Sequence, residues 1–268
     1  MNALPAEDAL IAALAGCVPP PRHTRLAIGD DAAAIALDGR ELLLITTDML
    51  MEDIHFRLRW DDLPSLGWKA LAQNLSDIAA MGGTPTHAVV ALAVPPAWEP
   101  ARAVALYRGM AELAAQTGVD IVGGDTIRSS QPLTLSLTVL GRISQAELLT
   151  RAGARPGDAL YVTGTLGRAA AGLHLLEDGR KIPEALTNAV QAQLRPPPRL
   201  AAGRALAQSG RVTAMMDLSD GVATDLHRFC RASGVGAVVM PSLLPVDPVV
   251  PAACRWLGGN DGDAGPLQ

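Results

Sequence analysis

The stretch DDLPSLGWKALAQNLSDIAAMGG, residues 61–83, predicts a long helix in the first half of the chain. Asp61 or Asp62 suits the N-cap position of this helix. Pro64 fits its first turn, and Gly82 marks its end. Short apolar runs typical of strands stand on both sides of it: ELLLITTD (41–48) and THAVVALAVP (86–95). The order strand, helix, strand predicts the α/β fold class.

Further helices and strands are predicted towards both ends of the chain. Residues 1–20 predict an amphipathic helix, because Glu7 and Asp8 stand where a signal peptide has positive charge. Further helices are predicted over 98–118, 166–177, 198–208 and 221–233. Further strands are predicted over 119–125, 132–143, 212–220 and 234–240, and at the end of RAGARPGDALYVTG (151–164). The polar, turn-rich stretch 143–157 is the best domain boundary.

Composition excludes several classes of protein. The 268 residues carry a net charge of −5 and only 3% aromatic residues, so neither a basic stripe nor stacking platforms for nucleic acid are expected. No apolar run reaches membrane-spanning length. Three widely spaced cysteines, without a CxxC pair, argue against a disulfide framework and a zinc site. We therefore expect a globular protein of the cytoplasm, with no nucleic-acid or membrane partner.

Aspartates recur at the ends of the predicted elements. They are Asp30, Asp31, Asp48, Asp77, Asp125, Asp217 and Asp220, and their neighbours are mostly Gly, Ser, Thr and Ala. Each one taken singly is compatible with a cap or turn role. Together, a carboxylate-rich and histidine-poor set favours Mg²⁺, which takes oxygen ligands and is completed by substrate phosphates.

Two glycine-containing stretches are suited to phosphate binding through backbone N–H groups. They are VGGDT (122–126) and VTGTLGRAAAGL (162–173). Neither is a P-loop or a dinucleotide-binding fingerprint, so a P-loop kinase is excluded by pattern. No GxSxG motif exists and the histidines are isolated, so covalent catalysis is a minor hypothesis.

Seven motifs, in order, resemble the thiamine-monophosphate kinase family of the aminoimidazole-ribonucleotide-synthetase-like (PurM-like) superfamily. They are IGDDAAAI, TTDMLMEDIHF, GWKALAQNLSDIAAMGGTP, GVDIVGGDT, RAGARPGDALYVTGTLGRAAAGL, LRPPPR and MMDLSDGVATDL. The resemblance implies two α/β domains: an N-terminal mixed sheet with helices (1–145) and a C-terminal α/β domain (146–268). It also implies a homodimer, and direct transfer of the γ-phosphoryl group of ATP to thiamine monophosphate with several Mg²⁺ ions.

The resemblance also implies roles for individual residues. Metal ligands would be Asp31, Thr46, Thr47, Asp48, Asp77, Asp125, Asp217 and Asp220. Catalytic residues would be Asp77, Asp125 and Asp220. Nucleotide contacts would be Tyr107, Gly124, Asp125, Arg151 and Ser219, and His55 would contact the substrate. Asp30 would contact the metal ligands and not the metal itself.

The chain departs from the family pattern at its C-terminus. Where the family has a GGEDYEL-like segment, this chain reads GGNDGDAGPLQ, with Asn260 in place of a glutamate. The second domain is therefore expected to be shortened. Two alternatives stay open: another ATP-using enzyme of the superfamily, or a non-catalytic nucleotide-binding protein.

Overall fold

The structure is a computed structural model that describes residues 6–18, 24–37, 39–60 and 62–258. Two predicted features, Asp61 and the segment around Asn260, lie outside the described residues. No helix among the described residues combines the length and the apolar character needed to cross a bilayer.

A six-stranded mixed sheet forms the first half of the chain. Its strands are β1 (Thr24–Leu26), β2 (Ala33–Ala36), β3 (Glu41–Met51), β4 (Thr84–Val94), β5 (Asp120–Arg128) and β6 (Thr134–Ser144). Their spatial order is β1-β2-β3-β6-β4-β5. The β4/β5 pair is parallel and every other neighbouring pair is antiparallel. The long strand β3 therefore lies inside the sheet, and β5 forms one edge.

Helices α2 (Leu63–Ala80) and α3 (Pro100–Thr117) cover one face of this sheet. The two helices approach closely because glycines stand at their crossing. A Cβ on Gly67 would lie 1.9 Å from the Leu106 carbonyl oxygen, and one on Gly109 would lie 1.7 Å from that of Pro64. The opposite face of the sheet keeps Met49 and other apolar side chains exposed.

Helices make up the regular structure of the second half. They are α4 (Arg168–Asp178), α5 (Thr187–Leu194), α6 (Leu200–Ser209), α7 (Val222–Ser233) and α8 (Val249–Leu257), with 3₁₀ turns at Glu184–Leu186 and Pro241–Leu243. Helices α4, α5 and α8 enclose a second apolar core around Leu175, Ala189 and Ala253. Helix α6 lies directly on α2, since a Cβ on Gly203 would meet the Ala79 carbonyl oxygen at 2.2 Å.

Most of the predicted elements are confirmed. The helix predicted over 61–83 is α2, and Asp62 caps it by accepting a 2.7 Å hydrogen bond from the Ser65 backbone N–H. The strands predicted over 41–48, 86–95, 119–125 and 132–143 are β3, β4, β5 and β6. The N-terminal helix is α1 (Ala6–Cys17). Helices α5 and α8 and the short strands β1 and β2 were not predicted from the sequence.

Three strand predictions in the second half are wrong. Residues 212–220, 234–240 and the end of 151–164 form no strand. A β-strand requires a neighbouring strand that pairs with its backbone N–H and C=O groups. These three segments pair with no strand in the described chain. Several of their apolar side chains are exposed, among them Tyr161, Leu218, Val238 and Met240.

Candidate functional site

Strand β3 and helix α2 place the first functional side chains next to each other. Alternate residues of β3 face α2, so Leu42, Leu44 and Thr46 are buried. Thr46 follows the two leucines on that face, and its hydroxyl donates a hydrogen bond to the carboxylate of Asp77 on α2. A polar pair thus lies within the contact between β3 and α2.

The carboxylate of Asp77 is also one of three carboxylates that lie close together. Asp31, Asp77 and Asp217 each offer one oxygen atom, and these oxygens all lie within 4.8 Å of one another. Asp31 lies just before β2, Asp77 lies on α2, and Asp217 precedes α7 in the second half of the chain. The cluster therefore forms only when the two halves of the molecule pack together.

Hydrogen bonds hold each member of the cluster in place. The Ser76 hydroxyl donates to Asp217 across 2.9 Å. The Arg151 guanidinium donates to Asp31 through Nε at 3.1 Å and through a second, shorter bond. Each of these hydrogen bonds joins a residue of the first half, Ser76 or Asp31, to a residue of the second half.

Electrostatics in the cluster are unfavourable without a cation. Burial, reinforced by repulsion from Asp48 and Asp217, raises the pKa of Asp77 to about 9. Burial also raises the pKa of Asp31 to about 7, although the Arg151 guanidinium opposes the shift. The pKa of Asp217 is raised by burial as well.

The donor set fits a hard divalent cation. The Asp31 side chain is fully buried, yet its Oδ2 atom has no hydrogen-bond partner. A buried carboxylate oxygen left unpaired is costly, and a metal ion satisfies it. Three clustered carboxylates with no histidine or cysteine among them match the oxygen ligands of Mg²⁺.

Asp48 and His55 lie next to the cluster. The Asp48 backbone N–H donates to the buried Asn74 side chain at 3.1 Å, which fixes this part of β3 on α2. Burial raises the pKa of the Asp48 carboxyl, and the nearby His55 opposes the shift. His55 lies in the turn after β3, where its Nδ1 accepts a bond from the Met51 backbone N–H. Its Nε2 side faces away from that bond.

Other predicted residues are not brought to the cluster. The Thr47 side chain lies on the opposite face of β3 and donates to the Leu137 carbonyl oxygen. Asp125 is exposed on the edge strand β5, and Tyr107 packs against the core on α3. The fold requires glycine at position 124, because a Cβ there would lie 1.8 Å from the Val90 carbonyl oxygen.

Ser219 and Asp220 stand in the loop before α7. Their backbone N–H groups both donate to the buried carboxylate of Asp225, at 2.9 Å each. The Asp220 side chain forms an ion pair with Arg228 and is half exposed. Asp220 therefore stands outside the three-carboxylate cluster, on the same loop as Asp217.

Ser76 and Asp225 are site-supporting residues that the sequence analysis missed. Ser76 immediately precedes Asp77, but nothing local indicates that its partner is Asp217. Asp225 could have been found, since an acidic residue in the first turn of a helix commonly binds free backbone N–H groups.

Comparisons with known proteins agree with this geometry. The family model of the AIR synthase related protein N-terminal domain matches residues 29–143, and the model of its C-terminal domain matches residues 155–258. Thiamine-monophosphate kinase of Bacillus subtilis (strain 168) is 37% identical over 227 residues, covering 84% of this chain and 70% of that protein. Thiamine-monophosphate kinase of Escherichia coli O157:H7 is 39% identical over 249 residues, covering 88% and 74%.

A solved structure of AaThiL complexed with AMPPCP and TMP has a similar fold. It superposes with a TM-score of 0.85 at 29% identity, covering 96% of this chain and 79% of that one. The two-domain α/β architecture is therefore shared over nearly all of this chain. AMPPCP is an ATP analogue, so that relative binds a nucleotide and TMP together.

Proposed function

Because this chain belongs to the thiamine-monophosphate kinases of the AIR synthase related family, we infer that it catalyses the ATP-dependent phosphorylation of thiamine monophosphate. ATP is the co-substrate and thiamine diphosphate the product. The observation that carries this inference in the chain itself is the cluster of Asp31, Asp77 and Asp217, where the two halves meet. The two alternatives, another ATP-using enzyme and a non-catalytic protein, are not favoured by the relatives.

The reaction asks more for positioning than for a base. The bond from the γ-phosphorus of ATP to the β,γ-bridging oxygen breaks, and a bond to an oxygen of the thiamine-monophosphate phosphate forms. That acceptor oxygen is already ionised near neutral pH, so no strong base is required to activate it. We accordingly propose direct transfer without a phosphoenzyme.

We propose that Asp31, Asp77 and Asp217 hold Mg²⁺. When bound, Mg²⁺ neutralises the triphosphate charge and the charge that develops on the transferring phosphoryl group. Asp77 is the central member of the group, since Asp48, Asp217 and Asp31 all raise its pKa and Thr46 bonds to it.

The remaining ligand assignments are proposals with less direct support. Asp48 and Thr46 adjoin Asp77 and are suited to complete its coordination. Asp220 shares a loop with Asp217, where it is half exposed and paired with Arg228, and Asp125 stands on the exposed edge of the sheet. We propose both as ligands of ions that arrive with the nucleotide. Thr47 would contribute through its backbone, because its side chain faces the other way.

We propose that five further residues contact the nucleotide or thiamine monophosphate. Arg151 and Ser219 adjoin the carboxylates, and the exposed Nε2 side of His55 is available to thiamine monophosphate. Gly124 and Tyr107 are assigned to the nucleotide by resemblance to the family.

Phosphorus NMR with Mg-ATP and thiamine monophosphate tests the function. We expect thiamine diphosphate and ADP to appear in equal amounts, and Asp77→Asn to abolish turnover because it removes a ligand charge. Asp178→Asn is the matched control, since Asp178 is paired with Arg180 at the end of α4. Absence of thiamine diphosphate with the unmodified chain would contradict the proposal.

We also propose a homodimer formed through the first half. The sheet face opposite α2 and α3 exposes Met49 and Val89, and the edge strand β5 exposes Val122 and Ile127. Exposed apolar side chains on one face and at one edge of a sheet are suited to contact with a second copy. The domain limits 1–145 and 146–268, and a cytoplasmic location consistent with three free cysteines, are proposed with it.

A further inference from the structure

Asp30 stands next to Asp31 in the chain, and its carboxylate also lies 3.8 Å from the Arg151 Nε, but the hydrogen bonds that it accepts come from backbone N–H groups. Its Oδ1 atom accepts from the Asp31 backbone N–H at 3.0 Å and from the Arg151 backbone N–H at 3.3 Å. Its Oδ2 atom accepts from the Arg151 N–H at 3.1 Å. The side chain is 6% exposed. Asp30 thus binds the backbones of the two residues whose side chains form the Arg151–Asp31 ion pair.

The segment that Asp30 holds, residues 150–154, is also bonded to residues 215 and 233, further along the second half of the chain. The Thr150 carbonyl oxygen accepts from the Met215 N–H at 2.9 Å, two residues before Asp217. The Ser233 hydroxyl at the end of α7 donates to the Arg151 carbonyl oxygen at 2.8 Å and accepts from the Ala154 N–H. This segment therefore joins the Asp31 loop to the Asp217 segment.

We propose that Asp30 is a positioning residue that sets the spacing of Asp31 and Asp217 by anchoring residues 150–154, and that it is not itself a metal ligand. This proposal rests on the proposed role of Asp31 and Asp217 as Mg²⁺ ligands. Mutual repulsion drives clustered carboxylates apart, so the tether is needed to keep the ligand spacing that Mg²⁺ requires.

Two variants of Asp30 distinguish a positioning residue from a metal ligand. Asp30→Asn keeps the Oδ1 acceptor that receives both N–H groups but removes the charge, whereas Asp30→Ala removes every bond. Calorimetric titration of Mg²⁺ into the protein with AMPPCP supplies a readout independent of turnover. We expect Asp30→Ala to weaken Mg²⁺ binding about 10–100-fold, as removal of residues that orient ligands does, and Asp30→Asn to stay within about threefold of the unmodified protein.

A second variant tests the route through residues 150–154. Ser233→Ala removes the bonds to Arg151 and Ala154 at a position remote from the carboxylates in sequence. We expect it to weaken Mg²⁺ binding, and to add little when combined with Asp30→Ala, because both act through the same segment. Ser233→Ala keeps the proposal testable if Asp30→Ala does not fold.

The outcomes distinguish this inference from the proposed function. Equal losses in Asp30→Asn and Asp30→Ala would make Asp30 a ligand and overturn the inference. Unchanged Mg²⁺ binding in Asp30→Ala, with a large loss in Asp31→Asn, would overturn the inference and leave the metal site standing. Unchanged binding in Asp31→Asn, or no Mg²⁺ binding by the unmodified protein, would count against the metal site itself and thereby against both.

Discussion

At the scale of single residues, the carboxylate cluster lowers the stability of the metal-free protein. Asp77, with a pKa of about 9, and Asp31, with a pKa of about 7, keep their protons in the fold at pH values where an ordinary aspartate, near 3.8, has lost them. The folded state binds more protons than the unfolded chain between these limits. The stability that the two groups contribute is therefore fully present below about pH 4 and is lost as the pH rises towards 9.

Asp77→Asn should relieve this loss. An amide does not titrate, and each pH unit between the ordinary aspartate pKa and pH 8 is worth about 1.4 kcal/mol. We therefore expect the variant without Mg²⁺ to be more stable than the unmodified protein by several kcal/mol at pH 8, on the order of 5 kcal/mol, and to melt at nearly the same temperature at pH 4. Scanning calorimetry in EDTA from pH 4 to 9 measures this difference. Asp178→Asn provides the control, and a difference that does not grow with pH would contradict the cited pKa values.

The affinity for Mg²⁺ should rise with pH for the same reason. Protons on Asp31 and Asp77 compete with the cation, so binding releases them. We expect Mg²⁺ affinity in the presence of AMPPCP to increase between pH 6 and 9, and Asp31→Asn to bind more weakly with a smaller pH dependence. Calorimetry in buffers of different ionisation enthalpy counts the released protons; finding none would refute the competition.

At the scale of elements, the contact between β4 and β5 depends on one glycine. Gly124 has no room for a Cβ beside the Val90 backbone, whereas its neighbour Gly123 has no atom within 4 Å of the equivalent position. The two adjacent glycines of VGGDT, both read from the sequence as phosphate-binding candidates, thus differ in what the sheet demands of them.

Gly124→Ala and Gly123→Ala form a matched pair of variants. We expect Gly124→Ala to destabilise the protein by about 1–3 kcal/mol, because the Cβ forces the two strands apart, and Gly123→Ala to have much less effect. Urea unfolding monitored by circular dichroism gives the two free energies. Similar losses in both variants would show that the close approach to Val90 is not what constrains this strand.

At the scale of the whole molecule, several contacts fix the second half on the first. The Arg204 guanidinium donates to the Gly82 carbonyl oxygen at 2.7 Å. The Trp68 indole N–H donates to the Pro196 carbonyl oxygen at 3.1 Å. Both contacts begin or end on α2 or just after it, the same helix that carries Asp77, so packing of the two halves and assembly of the site are one event.

The proposed dimer is tested on the other side of the sheet. Val89 is 41% exposed on the uncovered face, and Val104 is 52% exposed on α3. We expect Val89→Glu to convert a dimer to a monomer, since it places a charge in an apolar contact, and Val104→Glu to leave the assembly unchanged. Sedimentation equilibrium measures the mass. A dimer that persists in Val89→Glu and dissociates in Val104→Glu would place the interface on the helical side.

The predicted elements of the first half agree with the structure more closely than those of the second. Strands β3, β4 and β6 find partners within the described chain, so local propensity and tertiary pairing agree. Residues 212–220 and 234–240 have the composition of strands but pair with no neighbour among the residues that the structure describes. Composition measures a preference for extended backbone, while a strand also needs a second segment at hydrogen-bonding distance.

The amino-acid sequence by itself determined most of the helices, the N-cap of α2, the long strands of the sheet and the candidate aspartates, because periodicity, capping and residue chemistry are local properties. Only the tertiary structure decided that Asp31, Asp77 and Asp217 meet while Asp220 pairs with Arg228, and that Arg151 lies on Asp31. Those contacts join distant parts of the chain. They depend on how the second half packs on α2, and no local pattern of residues encodes that packing.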